Sequence, residues 1–72
     1  RSEANLRETA LIQANLSEAI LTGTFFTDAD LTEANLSHAN LKDAKLNRSI
    51  LIQTNLQFAN LTEATLNHAK LH

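Results

Sequence analysis

Every leucine in this chain stands a multiple of five residues from every other leucine. They fall at Leu6, Leu11, Leu16, Leu21, Leu31, Leu36, Leu41, Leu46, Leu51, Leu56, Leu61, Leu66 and Leu71, and Phe26 fills the one gap in the series. Two residues ahead of each centre stands a small side chain, alanine in most units and Thr9, Thr24, Ser49 or Thr54 in the rest. Internal repetition of this kind constrains a fold more than any local propensity. A straight helix is excluded, because at about 100° per residue successive leucines would land about 140° apart and make no stripe. A straight strand is excluded too, since an odd period would send successive leucines to opposite faces. Within one unit, however, the small residue and the centre are two apart, so extended backbone points both the same way. The chain must therefore run in short extended pieces with a corner after each, coiled around an interior axis.

The clearest units are Ala34-Asn35-Leu36-Ser37-His38 and Ala39-Asn40-Leu41-Lys42-Asp43. Asn or Asp also precedes the centre at Asn5, Asn15, Asp30, Asn55 and Asn60. This A-[ND]-L-x-x pattern, held in phase through fourteen units, resembles the pentapeptide-repeat family over the whole chain. The resemblance implies an all-β fold, a right-handed quadrilateral parallel β-helix in which each unit makes one side and four make a coil. The fourteen units then give about three and a half coils. The centre and the small residue two before it would fill the interior, with the other three residues outward. Many proteins with such repeats come from cyanobacteria.

Residues 1–72 amount to one domain. A compact domain of this size is marginal, but a solenoid coil needs only its neighbours. The chain holds no methionine and opens on Arg1 in mid-pattern, so it is expected to be a fragment or domain of a longer chain, or a trimmed one. No cap is visible at either end, and open ends invite end-to-end association. Six basic and eight acidic residues give a net charge of −2, neither the basic balance of a nucleic-acid binder nor the heavy acidity of a DNA mimic. No apolar run approaches the length of a membrane span and no signal peptide is visible. There is no cysteine. His68 and His72 are four apart, a spacing that shares a face only on a helix, so no metal site is expected. No nucleophile–base pair or phosphate-cradling glycine loop occurs. We therefore expect no enzyme activity, cofactor or small-molecule substrate.

With twenty residues per coil, positions twenty apart stack into columns. Asn15, Asn35 and Asn55 form one, in which identical amides could hydrogen-bond along the stack. Glu8, Asp28, Arg48 and His68 form a corner column in which Asp28 and Arg48 face each other as an exposed pair of little energetic weight. His38 shares a column with Glu18 and Phe58. Gly23, the only glycine, sits at a corner where it tolerates positive φ without strain. The second side, centred on Leu11, Leu31, Leu51 and Leu71, differs from the rest. Its outward neighbours include Ala10, Ile12, Ile50 and Ile52, with Asp30, Thr32 and Lys70 among them, and the phrase Leu11-Ile12-Gln13 recurs as Leu51-Ile52-Gln53. Several apolar residues on one flat face make a candidate contact surface; alternatively, β-branched residues simply suit exposed strand positions.

The expectation is a non-catalytic structural or protein-interaction module whose side near Ile12, Ile50 and Ile52 docks a protein partner or a second copy, side to side. The alternative that the resemblance offers is a DNA-mimicking, gyrase-binding protein of the quinolone-resistance type. Against it stand the near-neutral charge, the short length, the absence of loop insertions and the lack of a helical tail.

Overall fold

The computed structural model describes residues 3–71. Its regular structure is a ladder of parallel bridges, each pairing a residue with the one twenty positions on: Asn5 with Phe25, Ala10 with Asp30, Asn15 with Asn35, and so upward to Ile50 with Lys70. Each bridge is one residue long, because a turn interrupts the extended backbone every five residues. The chain is therefore a stack of twenty-residue coils, each of four five-residue sides. We number the sides by their centres: side one Leu6, Phe26, Leu46 and Leu66; side two Leu11, Leu31, Leu51 and Leu71; side three Leu16, Leu36 and Leu56; side four Leu21, Leu41 and Leu61.

Hydrogen-bond accounting within one unit explains the repeat. In the unit around Leu31, the amide of Ala29 donates to the carbonyl of Phe26 and closes the preceding turn (2.9 Å). Asp30 donates to Thr9 on the coil before (3.0 Å), while Leu31 and Glu33 donate to Ile50 and Ile52 on the coil after (2.7 and 2.9 Å). Only the amide of Thr32 is left over, and the Asp30 carboxylate accepts it at 3.1 Å. The Asn or Asp of the motif thus supplies the one acceptor that the ladder lacks, an Asx-turn. The same bond joins Arg7 to Asn5, Ser17 to Asn15, Ser37 to Asn35, Lys42 to Asn40, Gln57 to Asn55 and Thr62 to Asn60. The Asn15–Asn35–Asn55 column is therefore not the amide ladder expected: each side-chain oxygen turns to its own unit's amide, and the column is tied through backbone bridges.

Corner geometry also departs from expectation. Gly23 does adopt positive φ (71°), but so does each corresponding corner residue from Glu8 to His68, among them Glu8 (59°), Gln13 (62°), His38 (60°) and Phe58 (62°). Positive φ at the third turn residue is the signature of a type II turn. A non-glycine residue there costs on the order of 1–2 kcal/mol, offset from Glu8 to Arg48 because the corner amide joins the inter-coil ladder, as Glu18 does to Ser37 at 2.9 Å. A β-carbon on Gly23 would stand 2.7 Å from Cγ of Glu3, a flexible side chain that can give way.

The interior is as the repeat demands. Phe26, Leu31, Leu36, Leu41 and Leu46 are fully buried, with Ala29, Ala34, Ala39 and Ala44 beside them. Phe26 replaces a leucine without leaving the register and is 0% exposed. Burial falls away toward both ends, where a coil has one neighbour instead of two: Leu6, Leu11, Leu61 and Leu66 are partly buried and Leu71 is 56% exposed. Ser49 is buried and donates its hydroxyl to the Leu46 carbonyl at 2.7 Å. Thr54 reaches the Leu31 carbonyl one coil back at 2.7 Å, whereas the buried Oγ1 of Thr24 has no partner.

Candidate protein-contact face

Side two carries two outward columns. One holds Ala10, Asp30, Ile50 and Lys70, locked by successive bridges; the other holds Ile12, Thr32 and Ile52, tied through Gln13 to Thr32 (2.9 Å) and Glu33 to Ile52 (2.9 Å). Ile12 is 54% exposed, while Ile50 and Ile52 are half-buried. The structure brings Ile50 and Ile52 together on one coil. It sets Ile12 two coils away on the same side, about 10 Å at strand spacing. The rung between them is polar: Asp30 accepts the Thr32 amide at 3.1 Å and the Thr32 hydroxyl at 2.6 Å, both on Oδ1. At the neighbouring corner Gln13 donates to Glu33 at 2.8 Å.

Ala10 and Ile50 occupy the position where Asp30 caps a turn amide, and neither can accept a hydrogen bond through its side chain. Among the described residues the amides of Ile12 and Ile52 accordingly have no protein acceptor. Side four loses the cap at Ile20 and side one at Phe25, Lys45 and Thr65; on side one Phe25 and the cations cover one another. The Arg7 guanidinium lies 4.1 Å from the centre of the Phe25 ring and the Lys45 ammonium 5.8 Å. The Gly-Thr-Phe-Phe segment is thus a packing variant with one ring inside and one covered by cations.

Two apolar side chains are more exposed than any on side two. Ile20, on side four, is 82% exposed and Phe58, at the corner beyond side three, 79%. They do not share a face with the isoleucines of side two. The Phe58 ring stacks on His38 with centroids 5.0 Å apart. Their outward placement was readable from the repeat; their degree of exposure was not, since it depends on how far each neighbour in the column reaches.

The expected ion pair is present. Arg48 donates from Nε and an Nη to the two carboxylate oxygens of Asp28 at 3.0 and 3.1 Å. Hydrogen bonding to Arg48 holds the Asp28 carboxyl below its ordinary range, and the same bond holds the guanidinium above its own. Both groups stand in solvent on a convex corner, where such a pair contributes little to stability. Among the described residues no group of three or more potential metal ligands comes together, and no helix is long and apolar enough to cross a membrane. His72, half of the spacing considered above, lies outside the described residues, as does Arg1.

The pentapeptide-repeat family profile matches residues 2–37, 11–48 and 39–72, and the chain belongs to that family. Among solved structures it is similar to HetL, a pentapeptide repeat protein involved in heterocyst differentiation regulation from the cyanobacterium Nostoc sp. strain PCC 7120. Identity is 46% and the TM-score 0.87, over 88% of this chain and 27% of HetL. It is similar to the pentapeptide repeat protein Rfr23 of the cyanobacterium Cyanothece 51142, with 30% identity and a TM-score of 0.74 over 96% of this chain and 58% of Rfr23. A pentapeptide repeat protein of the Arabidopsis thaliana thylakoid lumen follows at 28% identity and TM-score 0.52, over 92% of this chain and 49% of that one. The chain thus spans less than two thirds of each. No curated protein matches it.

Proposed function

We propose that residues 1–72 fold as one right-handed, four-sided β-helical rod that acts without catalysis, as a protein-interaction module. The side bearing Ile12, Ile50 and Ile52 docks the partner. The observation that carries this reading is the coincidence on that side of two missing caps with neighbouring isoleucines; elsewhere a missing cap brings the lone Ile20 or the cation-covered Phe25. At Ala10 and Ile50 the chain gives up a turn acceptor worth about 0.5–1.5 kcal/mol and presents aliphatic surface instead, with Ile12 and Ile52 alongside. Departures from a fold's own local rules concentrate at functional sites, and Ile12 is left 54% exposed there. HetL is involved in regulation of differentiation; a rigid rod with one adhesive side would serve a regulator by holding another protein. The near-even charge, −2 over 72 residues, favours this reading over mimicry of a polyanion.

The test is a pull-down from source-cell lysate with wild type and an Ile50→Lys, Ile52→Lys double variant, read by mass spectrometry. Lysine keeps its stem along the surface and its charge in water, so folding is expected to survive and is checked by circular dichroism. A protein retained by wild type and lost by the folded variant supports the contact face. Equal recovery, or none, reduces these isoleucines to ordinary strand residues.

A further inference from the structure

We propose that the occupant of side two is an α-helix lying along the solenoid axis, carrying a lysine or arginine between two aliphatic residues, and that Asp30 selects it. The inference rests on the reading of side two as a contact face and names the chemistry of its partner. In the two outward columns of side two, Asp30 is the only charged residue between the aliphatic rung of Ala10 and Ile12 and that of Ile50 and Ile52; Glu33 at the adjoining corner is engaged by Gln13, and Lys70 lies one rung beyond Ile50. Its Oδ1 takes both hydrogen bonds from Thr32. Among the described residues no hydrogen bond or ion pair reaches Oδ2, and the one ion pair, Asp28 with Arg48, stands at a different corner. A purely apolar partner would strip water from this half-buried carboxylate and leave it unpaired, which is strongly unfavourable. A partner cation at that rung turns the same carboxylate into an anchor and a filter.

Geometry favours a helix over a strand. Strand addition needs a free sheet edge, but the backbone groups of side two point along the axis and are used between coils, as in Leu11 to Asp30 and Leu31 to Ile50. Rungs are about 4.8 Å apart, and helix residues three or four apart rise about 4.5–6 Å. Aliphatic, basic and aliphatic residues at i, i+3 and i+7 therefore meet the Ile12, Asp30 and Ile52 rungs in order. The helix, about 10–12 Å across, is narrower than the smallest dimension of the molecule, 18 Å.

The experiment uses side-chain-crosslinked helical peptides of about 18 residues, since shorter free helices are marginal. Each displays Leu-x-x-Arg-x-x-x-Leu on one face, with arginine replaced by leucine or glutamate in the controls, and binding is read by fluorescence anisotropy. Wild type is expected to bind the arginine peptide at least about tenfold tighter than either control. Asp30→Asn keeps an acceptor for the Thr32 amide, as Asn35 does for Ser37, so it is expected to melt like wild type and to lose the preference. The proposal is overturned if the preference survives in Asp30→Asn, if no peptide binds saturably, or if sedimentation shows side two closed by a second copy that Ile50→Lys releases. The lysate comparison separates this idea from the one it rests on. A protein held through Ile50 and Ile52 but indifferent to Asp30→Asn removes the helix with its cation and leaves the contact face standing. Indifference to all three changes removes both.

Discussion

Replacing Thr24 by valine is expected to stabilise the fold, and the same replacement at Thr54 to weaken it. Both threonines occupy the small inward position of their units. Thr24 is 1% exposed and its Oγ1 has no partner among the described residues. Valine has nearly the same shape and no hydroxyl to desolvate. Removing a buried, unsatisfied polar group recovers about 1–3 kcal/mol, and each kcal/mol moves the melting temperature of a domain this size by about 4–8 °C. Thr54 donates to the Leu31 carbonyl at 2.7 Å. Valine there forfeits about 0.5–1.5 kcal/mol, toward the lower end because the Ala34 amide still serves that carbonyl at 2.9 Å. Thermal and urea melts followed by circular dichroism read both variants, and the two midpoints should move in opposite directions. If Thr24→Val melts at or below wild type, the hydroxyl is satisfied in solution and the interior is wetter than the packing implies.

Leu36→Asp should abolish cooperative unfolding, because a fully buried side chain becomes an unpaired charge costing several kcal/mol; Leu71→Ala, at the exposed end, should change a urea midpoint by under about 0.5 kcal/mol. Asn40→Ala removes the acceptor that Lys42 uses at 3.2 Å and should cost about 0.5–1.5 kcal/mol in the same assay, whereas Asn40→Asp should cost little. Gly23→Ala should cost about 1–2 kcal/mol, the penalty of positive φ that its twelve non-glycine counterparts already carry; complete loss of folding would show that this corner is not interchangeable with the others. The Asp28 carboxyl is lowered in the fold from 3.8, so its contribution is fully present above that value and fades as pH falls through the folded value. The stability difference between wild type and Asp28→Asn, followed by urea melts, should therefore be level from about pH 5 to 8 and shrink below about pH 4; a difference that grows on acidification would contradict the sign.

The repeat exposed the phase and the inward residues because a period of five leaves the backbone few arrangements, and the resemblance to pentapeptide-repeat proteins supplied the twenty-residue register. Column partners twenty apart, Asp28 with Arg48 and His38 with Phe58, followed from that register alone. Corner conformation did not, since only glycine advertises positive φ in a sequence and Glu, Gln, His and Phe do not. Nor did the role of the motif's Asn: periodicity locates a column but not which way an amide oxygen turns. Thr24 and Thr54 are the same letter in the same slot, yet one hydroxyl finds a carbonyl on an adjacent coil and the other does not. Such differences depend on fractions of an ångström between coils, below anything a pattern of residues records.

Hydrogen-bond accounting also gives the outer surface a meaning that hydropathy alone does not. An exposed isoleucine is ordinary on a protein surface, and Ile20 shows as much. Ile50 and Ile20 both stand where the motif places its Asn or Asp; Ile50 differs in sharing one coil of side two with Ile52. In a unit whose ladder leaves one amide over, the residue ahead of the centre is the acceptor, and side three keeps asparagine there at Asn15, Asn35 and Asn55 without exception. Side two keeps such an acceptor only at Asp30, whose Oδ1 closes the turn while, among the described residues, its Oδ2 has no hydrogen bond or ion pair. On the proposed reading of side two, stability and recognition would be drawn from the same column of side chains. Of the four positions ahead of side two's centres, Asp30 caps its turn, Ala10 and Ile50 present aliphatic surface, and Lys70 carries the opposite charge. A partner selected by this side would read the places where the repeat departs from its own rule.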